Sequence, residues 1–499
     1  MIDIFLVSLY LLSLAGIGYA IRKKESSLSE FLLANRSMAW PISLASLYAT
    51  AASALTFIGV PGVAYAGDFY YLSLTLGSLL GRIFIAYFLL KAYFHFQVFS
   101  IYELLEKKFS ITIQKAGSGI FILTRILASS VRLTACAFAI AVILKISIPL
   151  AIVIIAMVAF IYTFFGGIRA VMITDVLQFI FIIGGSILAF SYLLSHFPGD
   201  LNQFLENANA QNKFQIVYWE FNWNDPKTIW AGTLFGFVVT LAGIGCDQDL
   251  MQRMLTTKSY SGAKKAMIFS GILDIPVVFL FLSIGALLFG WVQESPDLQK
   301  KIAALQLKND MIFPYFMKEV FPAGLRGLLI VGLLSASLSS LDSALNALAS
   351  VSIVDFPKLK QKLKSTFSIQ NDTTIARIFT ILFAMILAAV AILFADANSI
   401  LWVGFKAVGY TYGPLLALFL FSIFSKEKIQ SSTGILLGII LSFLISFFST
   451  SLTPSGFVFP WEDSLKKPLL AWPWGIVIAT LFMSLWLFLL KNFRPHKPL

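Results

Sequence analysis

Between Gly332 and Asn346 the chain reads GLLSASLSSLDSALN, a hydroxyl-rich stretch with one carboxylate set inside an apolar run. A carboxylate at bilayer depth costs roughly 2.5–3.5 kcal/mol, so such groups face a partner, water or an ion. Ala336, Ser339, Ser340 and Ser343 are offset so that they share one helical face. There Ala336 offers only its backbone carbonyl, and the serines add hydroxyls. Oxygen ligands with no soft ligand nearby suit a hard cation such as Na+. The chemistry this face offers is ion binding.

Such a face needs a membrane helix to carry it, and the composition supplies one many times over. The chain of 499 residues is 58% hydrophobic and only 12% charged, with a mean hydropathy of +0.85. Apolar runs long enough to span a bilayer recur near 2–21, 40–65, 71–94, 117–143, 148–165, 171–195, 229–250, 266–292, 324–353, 375–394, 400–423, 433–450 and 469–490. Runs of this length read as helices. The expected fold is an all-α integral membrane protein of about thirteen helices in a lipid bilayer.

A net charge of +12 raises nucleic acid as a partner, but its distribution argues against that. Basic residues concentrate in alternate loops: Arg22 to Lys24 with Arg36, Lys107 with Lys108, Arg169, Arg253 to Lys265, Lys358 to Lys364, Lys426 to Lys428, and Lys491 with Arg494. The intervening loops are short or carry acids. This is the positive-inside pattern of a plasma (inner) membrane protein, with the N-terminus outside and the C-terminus in the cytoplasm. The first span lacks a basic n-region and is followed by its basic cluster, so it reads as an anchor rather than a cleaved signal.

Cys136 and Cys246 both fall inside expected spans, and His95, His196 and His496 are scattered, so neither a disulfide framework nor a zinc or haem site is expected. No phosphate-binding P-loop motif occurs. Ser339 or Ser343 beside Asp342 could suggest a nucleophile, but no intramembrane histidine is placed as its base, and an enzyme is not expected. A membrane sensor without transport and a channel are the remaining alternatives.

Two spans carry helix breakers, at 56–62 in the second and 240–248 in the seventh. They stand five apart in order, as expected for two five-helix halves of inverted topology. Interrupted helices in matching positions point to a midplane binding site of a secondary transporter.

Four segments then carry a family resemblance. FGGIRAVMITDVLQ (165–178) resembles the most recognisable signature of the sodium:solute symporter family; DQDLMQR (247–253), SSLDS (339–343) and FIGVP (57–61) fit further signatures. The resemblance runs to about residue 423. It implies a leucine-transporter-type inverted-repeat fold preceded by one extra helix, and Na+-driven uptake of a small solute by alternating access. The corresponding division is an N-terminal helix and loop (1–39), a first repeat (40–195), an external loop (196–228), a second repeat (229–423) and C-terminal helices (424–499).

By similarity, the common Na+ site of the family uses the carbonyls of Ala49, Ala52 and Ala336 with the hydroxyls of Ser339 and Ser340. A second Na+ site of some members maps onto Asp175, Ser339, Asp342 and Ser343, with Asp342 standing where sialic acid transporters have a hydroxyl. Asp342 paired with a basic residue, and Asp175 as a packing carboxylate, are the alternative readings.

For the solute, positions matching the sugar-binding groups of galactose-transporting members hold Ala51, Thr56, Thr75, Thr240 and Asp274, and most of the hydrogen-bonding set is missing. A site without those partners disfavours a polyhydroxy ligand. The Asp of the proline transporters matches Ala51. Arg132 lies one turn beyond Ala128, the position matching the carboxylate-holding arginine of sialic acid transporters, and a guanidinium at this depth needs an anion. Ser53 and Thr56 match positions near that pocket. Asp274 and Lys406 sit in spans whose counterparts touch substrate, and Tyr71, Phe235 and Tyr410 are candidate wall residues. Arg132 could instead pair with Asp274 or Asp175, and Asp274 with Lys406. An organic carboxylate leads as solute, and a zwitterionic amino acid is the alternative.

Overall fold

The computed structural model describes residues 2–21, 33–163, 168–367, 372–395, 400–429, 431–453, 456–457 and 470–492. The basic residues Arg22 to Lys24 and Arg494, and the first three residues of the 165–178 signature, lie outside them.

Among the described residues are eight helices long and apolar enough to cross a membrane, two bent pairs that do so jointly, and three shorter apolar helices. In chain order they are α1 (Ile2–Ile21), bent α2 (Trp40–Ala51 with Leu55–Ala66), α3 (Tyr71–Phe96), α4 (Ile111–Leu144), α5 (Ile148–Thr163), α6 (Ile168–Ser195), bent α7 (Ile229–Gly245 with Gln248–Leu255), α8 (Tyr260–Gln293), α9 (Leu325–Val354), α10 (Asp372–Leu393), α11 (Ile400–Phe424), α12 (Ser432–Ser451) and α13 (Trp474–Asn492). The fold is all-α, with α2–α6 and α7–α11 as its two five-helix repeats. Five is odd, so α2 and α7 cross the bilayer in opposite directions and the repeats are inverted.

Some helices begin earlier than hydropathy alone suggests. α4 starts at Ile111 because Ser110 caps it, accepting from the Ile113 N–H at 3.4 Å, and α8 starts at Tyr260 because Ser259 accepts from the Gly262 N–H at 3.2 Å.

The bends also sit where hydrogen bonding dictates. The halves of α2 meet at 60° and those of α7 at 67°. In α2 the bend lies at 52–54, upstream of Pro61, which is accommodated in the first turn of the segment Val60–Ala66. Proline has no N–H to give the carbonyl of residue 57, and the turn before it, Leu55–Gly59, is widened to π geometry. The matching turn in α7, Leu241–Gly245, is also π-helical, and its break falls at Cys246 and Asp247, inside the expected 240–248.

Two contacts fix the helices that frame the centre. A Cβ on Gly77 would lie 2.0 Å from the Thr233 carbonyl oxygen, and one on Gly236 would lie 2.1 Å from that of Leu74. Gly77 with Gly81 and Gly232 with Gly236 thus form facing small-xxx-small stripes that bring α3 and α7 into backbone contact. At the start of α9, Asp3 of α1 accepts from the N–H groups of Gly324 (2.8 Å) and Gly327 (2.9 Å) and from Arg326 Nε (2.7 Å). The acid satisfies N–H groups that a helix start leaves without partners.

Candidate ion and solute sites

At the α2 bend the regular backbone ladder is interrupted, and the Leu55 N–H turns to Ser53 Oγ at 3.3 Å. The Ser53 N–H bonds to Ala51 O at 3.0 Å, and those of Thr56 and Phe57 both go to Ser53 O at 2.9 and 3.1 Å. The helical partners of the Ala49 and Ala52 carbonyls are thus directed elsewhere, and both oxygens are left for another ligand. Facing them is α9, whose Ser340 hydroxyl lies 3.1 Å from both Thr50 O and Ala336 O. Ser339 Oγ lies 3.1 Å from Thr50 Oγ1. The five atoms expected around Na+ therefore belong to two elements in direct contact. All are neutral oxygens, a donor set suited to a monovalent hard cation.

Beside this site lies a buried charge network. Asp175 accepts from Ser339 through Oδ1 and from Ser46 through Oδ2. Arg253 reaches Asp175 Oδ2 at 3.4 Å, Asp249 Oδ1 at 2.8 Å and Ser46 Oγ at 3.0 Å, and donates to Ser343 Oγ. Asp342 Oδ1 accepts from the Ser343 N–H at 2.6 Å, while its Oδ2 is buried without a hydrogen-bond partner. The four residues of the expected second Na+ site are thus brought together, with the Arg253 guanidinium inserted against Asp175 and Ser343. Of the alternatives open in the sequence, Asp175 takes Arg253 rather than Arg132.

The solute candidates converge on one cavity of about 210 Å³ between α2, α3, α4, α7, α8 and α11. Ser53, Thr56, Tyr71, Thr75, Arg132 and Asp274 all line it, as do Ala52, Ala128, Thr240 and Phe235. Lys406 is on α11 between the lining residues Phe405 and Val408 and does not line it. Tyr410 is likewise absent from the lining; its hydroxyl lies 3.1 Å from Thr450 Oγ1 on α12.

Three arginines enter this cavity and differ in their partners. Arg82 pairs with Asp274 at 3.3 Å and donates to Ser270 at 3.1 Å. Arg125 pairs with Asp247, which also accepts from Tyr412, and lies 3.1 Å from Asp249. Arg132 has no carboxylate partner among the described residues, and its Nη1 is buried without a hydrogen-bond partner. The arrangement offers, among the described residues, one guanidinium without a direct carboxylate partner in a cavity walled by Tyr71, Phe235, Phe405 and Tyr412.

Sequence reading missed Arg82, Arg125 and Arg253 as members of these sites. The signal was available: Arg82 and Arg125 interrupt apolar runs, as Arg132 does, and Arg253 ends the DQDLMQR segment that was counted among loop charges.

Comparison with known proteins gives a consistent picture. The sodium:solute symporter family profile matches residues 31–442. The sodium/sialic acid symporter NanT of Aliivibrio fischeri is 26% identical over 454 residues, covering 90% of this chain and 88% of that protein. The sodium-coupled monocarboxylate transporter 2 of Mus musculus is 28% identical over 472 residues, covering 91% and 72%. Among solved structures, a substrate-bound, outward-open Na+-coupled sialic acid symporter superposes with a TM-score of 0.84 at 21% identity, over 100% of this chain and 99% of that one.

Proposed function

The chain belongs to the sodium:solute symporter family, and on that premise we propose that its solute is a small organic carboxylate, held by Arg132. It is a Na+-coupled symporter of the membrane and not an enzyme. The observation that carries the solute reading is the contrast among the three cavity arginines. Arg82 and Arg125 have aspartate partners, while Arg132 lines the cavity without one among the described residues. A buried guanidinium remains charged and prefers a planar, bidentate anion, which a carboxylate provides. The Arg82–Asp274 pair makes Asp274 a poor receptor for an ammonium group and weighs against a zwitterion. Relatives named as sialic acid and monocarboxylate transporters support the same class of solute.

In the mechanism, Na+ binds the carbonyls of Ala49, Ala52 and Ala336 and the hydroxyls of Ser339 and Ser340. It joins the α2 bend to α9, and Ser53, in that bend, and Thr56, just beyond it, line the solute cavity. Na+ thereby raises solute affinity, and the solute raises Na+ affinity by the same factor. At the second cation position of Asp175, Asp342 and Ser343, the Arg253 guanidinium already engages Asp175 and Ser343, so Na+ binds there by displacing it. One bundle of helices rocks against the other to expose the cavity to either side in turn. The chain sits in the plasma membrane with its N-terminus outside, as the alternation of basic loops supports.

The test is thermal stability of the purified protein against aliphatic, aromatic and sugar-derived monocarboxylates, neutral sugars and amino acids, each in Na+ and in choline. Ligands that bind the folded state raise the melting temperature by mass action. A carboxylate-specific shift that requires Na+ and vanishes in Arg132→Gln is expected. A shift from neutral sugars alone, or one indifferent to Arg132→Gln, would overturn the solute class.

A further inference from the structure

The C-terminal helices contribute one side chain to the cavity's surroundings that the transport mechanism above leaves unused. Trp472 lies in the segment leading into α13, outside both five-helix repeats. Its ring is parallel to that of Phe405, with centroids 6.2 Å apart and planes at 4°, and edge-on to that of Phe235, at 4.7 Å and 80°. Phe235 and Phe405 meet each other at 5.5 Å and 83°, and Tyr71 approaches Phe405 at 6.3 Å. Phe235, Phe405 and Tyr71 line the solute cavity, and Trp472 does not. It forms the layer behind them.

Position and anchoring give that layer a purpose. Phe235 is in the first half of α7, Phe405 is near the start of α11 and Tyr71 opens α3, so the cluster lies at the end of the cavity nearest the 196–228 loop. The segment holding Trp472 is tied to that loop: the Ala471 N–H donates to Trp223 O at 2.9 Å, and Trp474 packs on Trp223 with centroids 4.6 Å apart. Trp472 is therefore held by elements outside the repeats while it grips aromatic rings on two helices of the second repeat. Aromatic pairs of this geometry contribute beyond the area they bury, and breaking two of them favours separation of the rings.

We infer that Trp472 is a positioning residue for a gate: it holds Phe235 and Phe405 together and restricts access to the cavity from the loop 196–228 side. The inference rests on the symporter reading for its purpose, but its test needs no identified solute. A reporter thiol is placed in the cavity as Val239→Cys, the native Cys136 and Cys246 being fully buried. A membrane-impermeant thiosulfonate reagent is then applied to one side of reconstituted full-length protein at a time.

Trp472→Ala is expected to raise the labelling rate about tenfold from the loop 196–228 side only, roughly the effect of losing two ring contacts. Trp472→Phe, which keeps a flat ring, is expected to restore most of the protection. Should the alanine variant fail to fold, Trp472→Leu, which keeps bulk without a ring, is expected to label faster than Trp472→Phe. An unchanged rate in folded Trp472→Ala or Trp472→Leu, an equal increase from both sides, or no rescue by phenylalanine would overturn the gate. Failure of the symporter reading appears separately, as absence of Na+-dependent solute binding in the parent protein.

Discussion

The hydroxyl of Ser340 on α9 donates to the backbone carbonyl of Thr50, at the end of the first half of α2, across 3.1 Å. This contact joins the helix richest in buried hydroxyls to the helix whose ladder is interrupted. It is flanked by the Ala49 and Ala52 carbonyls, whose usual helical partners bond elsewhere. An ion that binds here is held by both elements, so its arrival stabilises one arrangement of them over the other.

The charge network beside that contact sets a first expectation. Arg253 is fully buried and shared between Asp175 and Asp249. Removing one partner of a buried pair costs about 3–5 kcal/mol because the other charge is left uncompensated. Arg253→Gln should therefore lower the melting temperature sharply, and Arg253→Gln combined with Asp175→Asn should recover part of the loss. The measurement is a melting curve of each purified variant without solute. Additive losses in the double variant would mean that the two residues do not act as a pair.

The contact between α3 and α7 sets a second. Gly236→Ala places a methyl where the Leu74 carbonyl oxygen lies 2.1 Å away, and only backbone movement relieves it. Gly243→Ala, in the same helix, meets nothing nearer than a Tyr412 ring carbon at 3.6 Å. The first should reduce the yield of monodisperse protein and its melting temperature, overpacking of this kind costing about 1–3 kcal/mol. The second should be close to neutral. Size-exclusion chromatography with heating distinguishes them.

Asp355, just past the end of α9, supplies a pH dependence. Burial pushes its carboxyl up to about 6, against the Ser118, Ser100 and Gln114 hydrogen bonds that favour the ionised form. Its folded value lies above the ordinary 3.8, so between those values the folded state binds the proton more tightly than the unfolded chain. Stability from this group falls as pH rises through that window, and the penalty is complete above about 6. Asp355→Asn should therefore gain on the parent at pH 8 and keep only about half of that advantage on acidification to pH 5, inside the window. Parallel melting curves from pH 5 to 8 give the comparison; a pH-independent difference would contradict it.

What could be read before the structure follows from which forces act locally. The number and order of the helices were legible because hydrocarbon imposes length and hydropathy on each span. The shared face of Ser339, Ser340 and Ser343 was legible because helical periodicity needs no partner. Helix starts were misplaced where a capping serine, Ser110 or Ser259, extends a helix beyond its apolar run. The breaker residues 56–62 mark the bend in α2 only approximately: Pro61 enters the second half, and the interruption lies at the Ser53 end, where its N–H turns toward Ala51. Pairings such as Arg82 with Asp274 join residues 192 positions apart, and only the packing of α3 against α8 decides them. Arg132, one turn from Ala128, could be named as an anchor from sequence; that its neighbours Arg82 and Arg125 were already matched could not.

The most direct measurement is equilibrium binding of radioactive sodium to purified protein, comparing the parent with Ser340→Ala. Loss of one neutral oxygen ligand is expected to weaken Na+ binding about tenfold, the scale of one hydrogen-bond-sized interaction, while the melting temperature without Na+ changes little. Unchanged sodium affinity in a folded Ser340→Ala protein would contradict an ion site between the α2 bend and α9.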